Sequence, residues 1–444
     1  MLPARAGSPA SESSPKEQLV ETRGVWVTRW DYHTPEDVSK IMQKLQRAGF
    51  NQVYFQVRGT ADAYYHSTYE PWAASLAGKL GRDPGWDPLQ VAVDEAHRRG
   101  LQLHAWINLC TAWKGTSPPG RSRPKHILRA HPGWRVRDNR KKPMPYTDRA
   151  YVFVNPVHPK FQAHLESVVA EIASFYQVDG VHLDYARYPG RDFSYDAISR
   201  KLFRKARKKQ PGLRRGDWQR QELSRLIKRL TQKVHEVRPN AVVSAAVTGI
   251  YRDRWKWGGV TQGYVDFYQD SKGWAVLGAV DCLVPMIYWP PARRPKARTD
   301  FVTLVDDFLQ VDSEVQLLVG INVEAGGFDV LTREIELVRK RGLDGVVLFA
   351  YSGLVKRGWL ERLAKGPFAL HAVAAKVERP TLLDRFFDVA QTTGSVVVRK
   401  VQPLLASFEW IVTRMPMAFF LCSHPSQEDE SNSQESGYED GNGP

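Results

Sequence analysis

The chain has 444 residues, 42% apolar and 25% charged, a balance that excludes an intrinsically disordered or fibrous protein and supplies enough apolar side chains for a full core. Lys and Arg outnumber Asp and Glu by 63 to 48, a net charge of +15 that favours anionic partners at low ionic strength. The charge is spread apart from runs at 200–215 and 291–299, which read as solvated faces, and no nucleic-acid motif accompanies it, so no nucleic-acid partner is expected.

Three cysteines, Cys110, Cys282 and Cys422, are too few for a disulfide framework or a zinc site. No stretch reaches the roughly eighteen apolar residues of a membrane span. The polar opening, MLPARAGSPASESSPKEQ, carries no apolar run of the secretory-signal kind, and residues 1–20 read as a disordered segment.

From there short β-branched or aromatic runs alternate with amphipathic stretches of helical length. The strands fall at 24–30, 52–58, 101–108, 180–185, 242–248, 282–288, 317–322 and 345–351. Helices are expected at 35–48, 88–99, 160–176, 218–237, 301–310 and 329–340, with Gly49, Gly100 and Gly342 as C-terminal caps. QVYFQVR, CLVPMIY and GVVLFAY are near-continuous apolar runs, as expected of parallel strands covered on both faces. A doubly wound sheet would show a Gly-rich phosphate turn after an early strand, whereas the first strand ends in Thr-Arg-Trp-Asp.

Eight strands with intervening helices predict an α/β fold, a (β/α)8 TIM barrel over residues 21–366. Long loops at 109–156 and 187–217 follow strands 3 and 4. Beyond the barrel, 367–422 reads as a small, partly helical extension and 423–444 as an acidic disordered tail.

In such a barrel the C-terminal strand ends converge on one cavity. They carry Arg29 and Asp31; Arg58, with Asp62 just beyond; His104, Trp106 and Asn108; His182, Asp184, Tyr185 and Arg187; Tyr288 and Trp289; Asn322 and Glu324; and Tyr351. Aromatic rings stack on sugar faces, Asn, His and Arg bond hydroxyls, and a carboxyl pair performs glycosidic cleavage. Asp184 has the strongest case, because an ionisable group in an apolar strand is costly unless it faces a polar cavity or a partner such as Arg187. For its partner acid, Asp270, Glu324, Asp62 and Asp31 remain open. His182, Asp184 and His104 make a metal site conceivable, but barrel histidines more often pack or bind hydroxyls; no metal and no cofactor are expected.

The segments GVWVTRWD, NQVYFQVRGTADAYYHSTYEPW, DPLQVAVDEAHRRGLQLHAWIN, VDGVHLDYARYP, YQDSKGW and VDCLVPMIYW, in this order, resemble the glycosyl hydrolase-like 10 family of bacterial proteins. The resemblance implies a TIM-barrel hydrolase of the cell envelope or secreted space, with some relatives acting on peptidoglycan glycan strands stripped of peptides. It assigns Arg58, Asp62, His104, Trp106, Asn108, Tyr288 and Trp289 to the family's site motifs, Asp184 to its strand 4 acid and Asp270 to its acid before strand 6. It also helps to rank Asp270 first and Glu324 second as the general acid, with Asp184 expected as the nucleophile or base. Asn108-Leu109-Cys110 stands where relatives often have Asn-Pro-Tyr, and Gly59 where they have Pro. The expected activity is hydrolysis of O-glycosidic bonds in an oligo- or polysaccharide. The alternative is a barrel that binds carbohydrate without cleaving it.

Overall fold

A computed structural model describes residues 19–291 and 299–377. The readings made for residues 1–18, part of the 291–299 basic run and 378–444, Cys422 and the acidic tail included, lie outside these.

Eight parallel strands close into a barrel: β1 (Thr22–Val27), β2 (Gln52–Arg58), β3 (Gln102–Asn108), β4 (Gly180–Asp184), β5 (Val242–Thr248), β6 (Cys282–Met286), β7 (Gln316–Asn322) and β8 (Gly345–Phe349). Each pairs with its sequence neighbours, and β8 returns to β1. The eight expected strands are all present. Trp30, Tyr185, Tyr288 and Tyr351 lie just past the strand ends, so these side chains belong to the rim.

The outer ring includes α1 (Pro35–Arg47), α2 (Pro88–His97), α3 (Pro159–Phe175), α4 (Ala197–Lys209), α5 (Arg215–Val237), α6 (Ser271–Val276), α7 (Phe301–Leu309), α8 (Phe328–Lys340) and α9 (Trp359–Lys365). α1 begins with a capping box, in which Thr34 accepts from Asp37 N while the Asp37 carboxylate accepts from Thr34 N. The chain turns left-handed at Gly49, Gly100 and Gly342, where caps were expected. The loop after β3 folds partly as a hairpin, Thr111–Trp113 against Val152–Phe153, and the loop after β4 contains α4. Leu19 and Val20, assigned from sequence to the N-terminal segment, pair in parallel with Ala372–Val373.

Strand alternation divides the core. Val25, Val53, Phe55, Leu103, Val181 and Leu183 face the helices, while Trp26, Tyr54, Trp106, Ala246, Val284, Leu318 and Val347 fill the barrel. Two histidines expected at the substrate surface belong to this interior. Trp26 Nε1 donates to His182 Nε2 at 3.0 Å, and His182 Nδ1 meets Ser244 Oγ at 2.8 Å. Accepting at Nε2 leaves the proton of a neutral ring on Nδ1, so both nitrogens are spoken for within the protein. His104 packs against Tyr54, its ring 5.1 Å away, and sits over Gly180, where an added Cβ would stand 2.4 Å from His104 Nδ1. Burial pushes its pKa down to about 4. His104 and His182, expected from sequence among the sugar-binding groups, are buried rings of the barrel interior.

Arg58 also turns away from the cavity. The β2–β3 register shifts between Gln56 and Arg58, and such a bulge re-aims the following side chain. Arg58 Nε and Nη2 bind the two oxygens of Glu70, each at 2.7 Å, and Nη1 donates to the Asn108 and Leu109 carbonyls. His164 of α3 completes the cluster 2.9 Å from Glu70.

Glu334 on α8 is 3% exposed, and burial lifts its pKa to about 8. The native state thus holds this proton more tightly than the unfolded chain, so stability falls as pH rises from about 4.5 to 8. Glu334→Gln is expected to raise the unfolding free energy at pH 8.5 by on the order of a few kcal/mol, and to change it little at pH 4. Equal gains at the two pH values would show that this carboxyl does not titrate in that window.

Candidate active site

At the C-terminal end of β4 the chain makes a left-handed turn at Tyr185, φ 47°, a conformation that a bulky residue adopts only under constraint. The turn brings Tyr185 N to 2.6 Å from Asp184 Oδ1, while Trp106 Nε1 from β3 donates to Oδ2 at 3.2 Å. Each carboxyl oxygen has a donor, which fixes the plane of the group. Burial raises the Asp184 pKa, with the Tyr185 amide, Arg187 and Trp106 pulling against it. A carboxyl whose proton affinity is raised by burial in an aromatic mouth is shifted in the direction a general acid requires.

Arg187 forms no ion pair with this carboxylate. Its guanidinium lies over Phe267 at 4.0 Å and Tyr185 at 4.8 Å. Tyr288 stacks on Phe349, ring centres 5.6 Å apart, and its hydroxyl pKa is raised by burial and by the neighbouring Asp184. Tyr185 is pushed up to about 12 by burial and the same carboxylate. Asp184, Trp106, Tyr185, Arg187 and Tyr288 are thus brought together, while Trp289 is half-buried against the main core.

A second group joins them through the hairpin. Tyr151 packs edge-on against Tyr185 at 5.3 Å and accepts from Arg29 Nη2 at 3.0 Å. The buried Arg29 guanidinium stacks 3.9 Å from the Trp30 ring, which is 56% exposed, and occupies the space a Cβ on residue 59 would need, which gives Gly59 a local reason. Asp62 lies beside Arg29, its Oδ1 accepting from Thr60 N at 2.7 Å. Asn108 supports this side from within, accepting from Gln56 and donating to Gly59 O, both at 3.2 Å.

The remaining nominees stand apart. Asp270 caps α6: its Oδ1 accepts from Gly273 N at 3.2 Å and from Tyr251 OH at 2.6 Å. A Cβ on residue 273 would lie 2.6 Å from its Oδ2, so the Asp-Ser-Lys-Gly sequence has a capping explanation. Asp270 lines a groove with Arg214, Asp217 and Arg220 beside α5. Glu324 is exposed, its amide turned to Asn322 Oδ1. Asp31 accepts from Thr28 N and Oγ1 at 2.6 and 2.8 Å near the buried Tyr351, and burial raises its pKa. Among the described residues no cluster of three or more His, Cys, Asp or Glu could hold a metal, and no helix is long and apolar enough to cross a membrane.

Trp30 and Tyr151 were not nominated from sequence. Trp30 was read as the last residue of a strand, and Tyr151 is brought in by an insertion without periodic pattern.

A closed parallel barrel whose C-terminal mouth holds a buried carboxyl among aromatic rings is a TIM barrel of the glycoside hydrolase type. Residues 21–328 match the glycosyl hydrolase-like 10 family, and the chain belongs to it. It is 30% identical over 318 residues to glycosyl hydrolase DigH of Escherichia coli K12, covering 66% of this chain and 70% of that one. Glycosyl hydrolase YngK of Bacillus subtilis 168 is 28% identical over 297 residues, 61% and 54% of the two chains. Among solved structures the fold resembles the PgaB (BpsB) glycoside hydrolase domain from Bordetella bronchiseptica, with TM-score 0.58, 15% identity, and 80% and 100% of the two chains covered. It also resembles the catalytic domain of β-amylase from Paenibacillus polymyxa, with TM-score 0.54, 13% identity, and 77% and 97% covered.

Proposed function

We propose that this protein is a glycoside hydrolase that cleaves O-glycosidic bonds of an oligo- or polysaccharide, with peptidoglycan glycan strands as the candidate substrate, and that Asp184 is its general acid. The observation that carries this reading is the Asp184 carboxyl, oriented through both oxygens and raised in pKa by burial at the mouth of the barrel. Asp184 gives its proton to the glycosidic oxygen as the C–O bond breaks, and a second carboxylate attacks the anomeric carbon or activates water there. Tyr185, Tyr288 and Trp30 offer ring faces to the sugars, and Tyr151 and Arg187 border them.

For the second carboxylate we favour Asp62 over Asp270. Asp62 connects to Asp184 through Arg29, Tyr151 and Tyr185, whereas Asp270 is committed to α6 and the groove beside α5. The two readings separate by variant. Asp62→Asn is expected to lower kcat by about 10²-fold or more and to remove one limb of the pH–rate profile. Asp270→Asn is expected to keep that profile and, because an Asn side-chain oxygen caps a helix about as well as Asp, to change stability by less than about 1 kcal/mol. The reverse pattern would return the role to Asp270.

The direct test is a screen of the purified protein against denuded peptidoglycan glycan strands and common polysaccharides, with products read by mass spectrometry and Asp184→Asn alongside. Cleavage lost in Asp184→Asn supports the reading. Binding without turnover in either protein would make the barrel a carbohydrate-binding module.

A further inference from the structure

On the rim, away from Asp184, a groove of about 820 Å³ runs between the turn at residues 79–82 and the segment 121–129. Lys79, Arg82, Arg121, Arg123, Lys125 and Arg129 line it together with Leu80, Gly81 and Ser122, and no carboxylate does. Among the described residues none of the six cations forms a salt bridge; the contact seen is Arg129 Nη1 donating to Pro119 O at 3.2 Å. Six like charges lining one groove repel one another, a cost that an anionic occupant relieves. Elsewhere the chain does pair its basic residues, as at Arg214 and Arg220 with Asp217.

The groove is built rather than frayed. At Gly81, φ +79°, a Cβ would stand 2.8 Å from Ser122 Cβ, so the two walls touch. One is held by Gly81 N on Trp72 O at 2.8 Å, the other by His126 N on Ser122 Oγ at 3.1 Å, and Leu80, His126 and Leu128 are buried beneath them. The His126 ring lies 2.9 Å from Thr60 O, and Thr60 N binds Asp62. The cationic wall is therefore fastened to the loop that enters the candidate active site. No aromatic ring lines the groove, so the stacking platform on which single-stranded nucleic acid is usually held is missing.

We propose that this groove binds an acidic glycan: it holds carboxylate- or sulfate-bearing sugars of the polymer whose glycosidic bond is presented to Asp184. The choice of glycan over nucleic acid rests on the glycosidase reading; the anion site itself does not.

The test uses the full chain and anisotropy of labelled probes of matched length: polygalacturonate, a heparin oligosaccharide, neutral dextran and a DNA oligonucleotide. The Arg121→Glu/Arg123→Glu/Arg129→Glu protein is compared with Lys201→Glu/Lys205→Glu/Lys208→Glu on exposed α4, which removes equal charge at another site, and with Asp184→Asn. Far-UV circular dichroism and melting curves check each fold. The groove variant is expected to lose at least tenfold affinity for one or both acidic glycans and to show a flatter salt dependence between about 50 and 200 mM. The α4 variant is expected to stay within about threefold, Asp184→Asn to bind as the wild type, and dextran to bind none of them through this site. Loss of both acidic probes indicates recognition of the carboxylate they share, and loss of heparin alone indicates sulfate. Equal losses in the groove and α4 variants, or none in the groove variant, would overturn the site. Tighter binding of DNA than of either acidic glycan, abolished in the groove variant, would overturn the glycan assignment. If nothing is cleaved but acidic glycans still bind through the groove, the glycosidase reading fails and the anion site stands.

Discussion

Asp184→Asn is expected to lower kcat on a natural glycan by about 10³-fold, within the 10²–10⁴ range supplied by a positioned general acid. Asn keeps the size of the side chain and a carbonyl oxygen for the Tyr185 amide, so KM is expected to move by less than about tenfold, the signature of a group needed in the transition state rather than for binding. The pH profile carries the sign. A carboxyl with a raised pKa is active while protonated, so wild-type kcat falls as pH rises through that value, and the variant loses this limb. Leaving-group chemistry makes a second check. A dinitrophenyl glycoside departs without a proton, so the defect should shrink on it if Asp184 is the acid. A defect of the same size on both substrates would instead place Asp184 at the anomeric carbon, as nucleophile or base.

The raised pKa of Asp184 and its legibility in the sequence have one origin. A carboxylate within an apolar strand is anomalous, and the desolvation that makes it anomalous on paper is what shifts its proton affinity in the fold. The barrel was legible for a related reason. Parallel strands covered on both faces are written as apolar runs such as QVYFQVR and GVVLFAY, and their spacing leaves room for one helix each. What escaped were decisions made by partners remote in the chain. His182 reads as a rim residue until Trp26 and Ser244, 156 and 62 positions away, take its two nitrogens. Arg58 reads as a cavity cation because strict alternation points it inward, and a one-residue register shift undoes that. Asp270 shows a different difficulty. An acid three residues before a glycine at a helix start looks the same whether it caps or catalyses, and Gly273 fits the cap. Trp30 reads from sequence as the end of a strand and Tyr151 lies outside any periodic element, so only tertiary packing identifies them as walls of the mouth.

The largest stability effect is expected at Arg58. Arg58 and Glu70 are both fully buried and bonded side-on through two contacts of 2.7 Å. Burial raises the proton affinity of Glu70, but Arg58 and His164 outweigh it and hold its pKa down to about 2. Arg58→Ala removes the main counter-charge and leaves the Asn108 carbonyl without its donor, so a loss of about 3–5 kcal/mol is expected at pH 7 in chemical denaturation. Since the folded pKa of Glu70 lies below its unfolded value, the stability it contributes is complete above about pH 4.5 and lost as pH falls toward 2. The gap between wild type and Arg58→Ala should therefore narrow in acid, as the unpaired Glu70 of the variant takes up a proton. Replacing both partners, as in Arg58→Met/Glu70→Leu, should cost less than Arg58→Ala alone, because no buried charge is stranded. Arg58→Ala matching wild type at pH 7, or a gap unchanged by acid, would mean that packing around the side chain rather than its ion pair holds the β2 loop, and with it Asp62, in place.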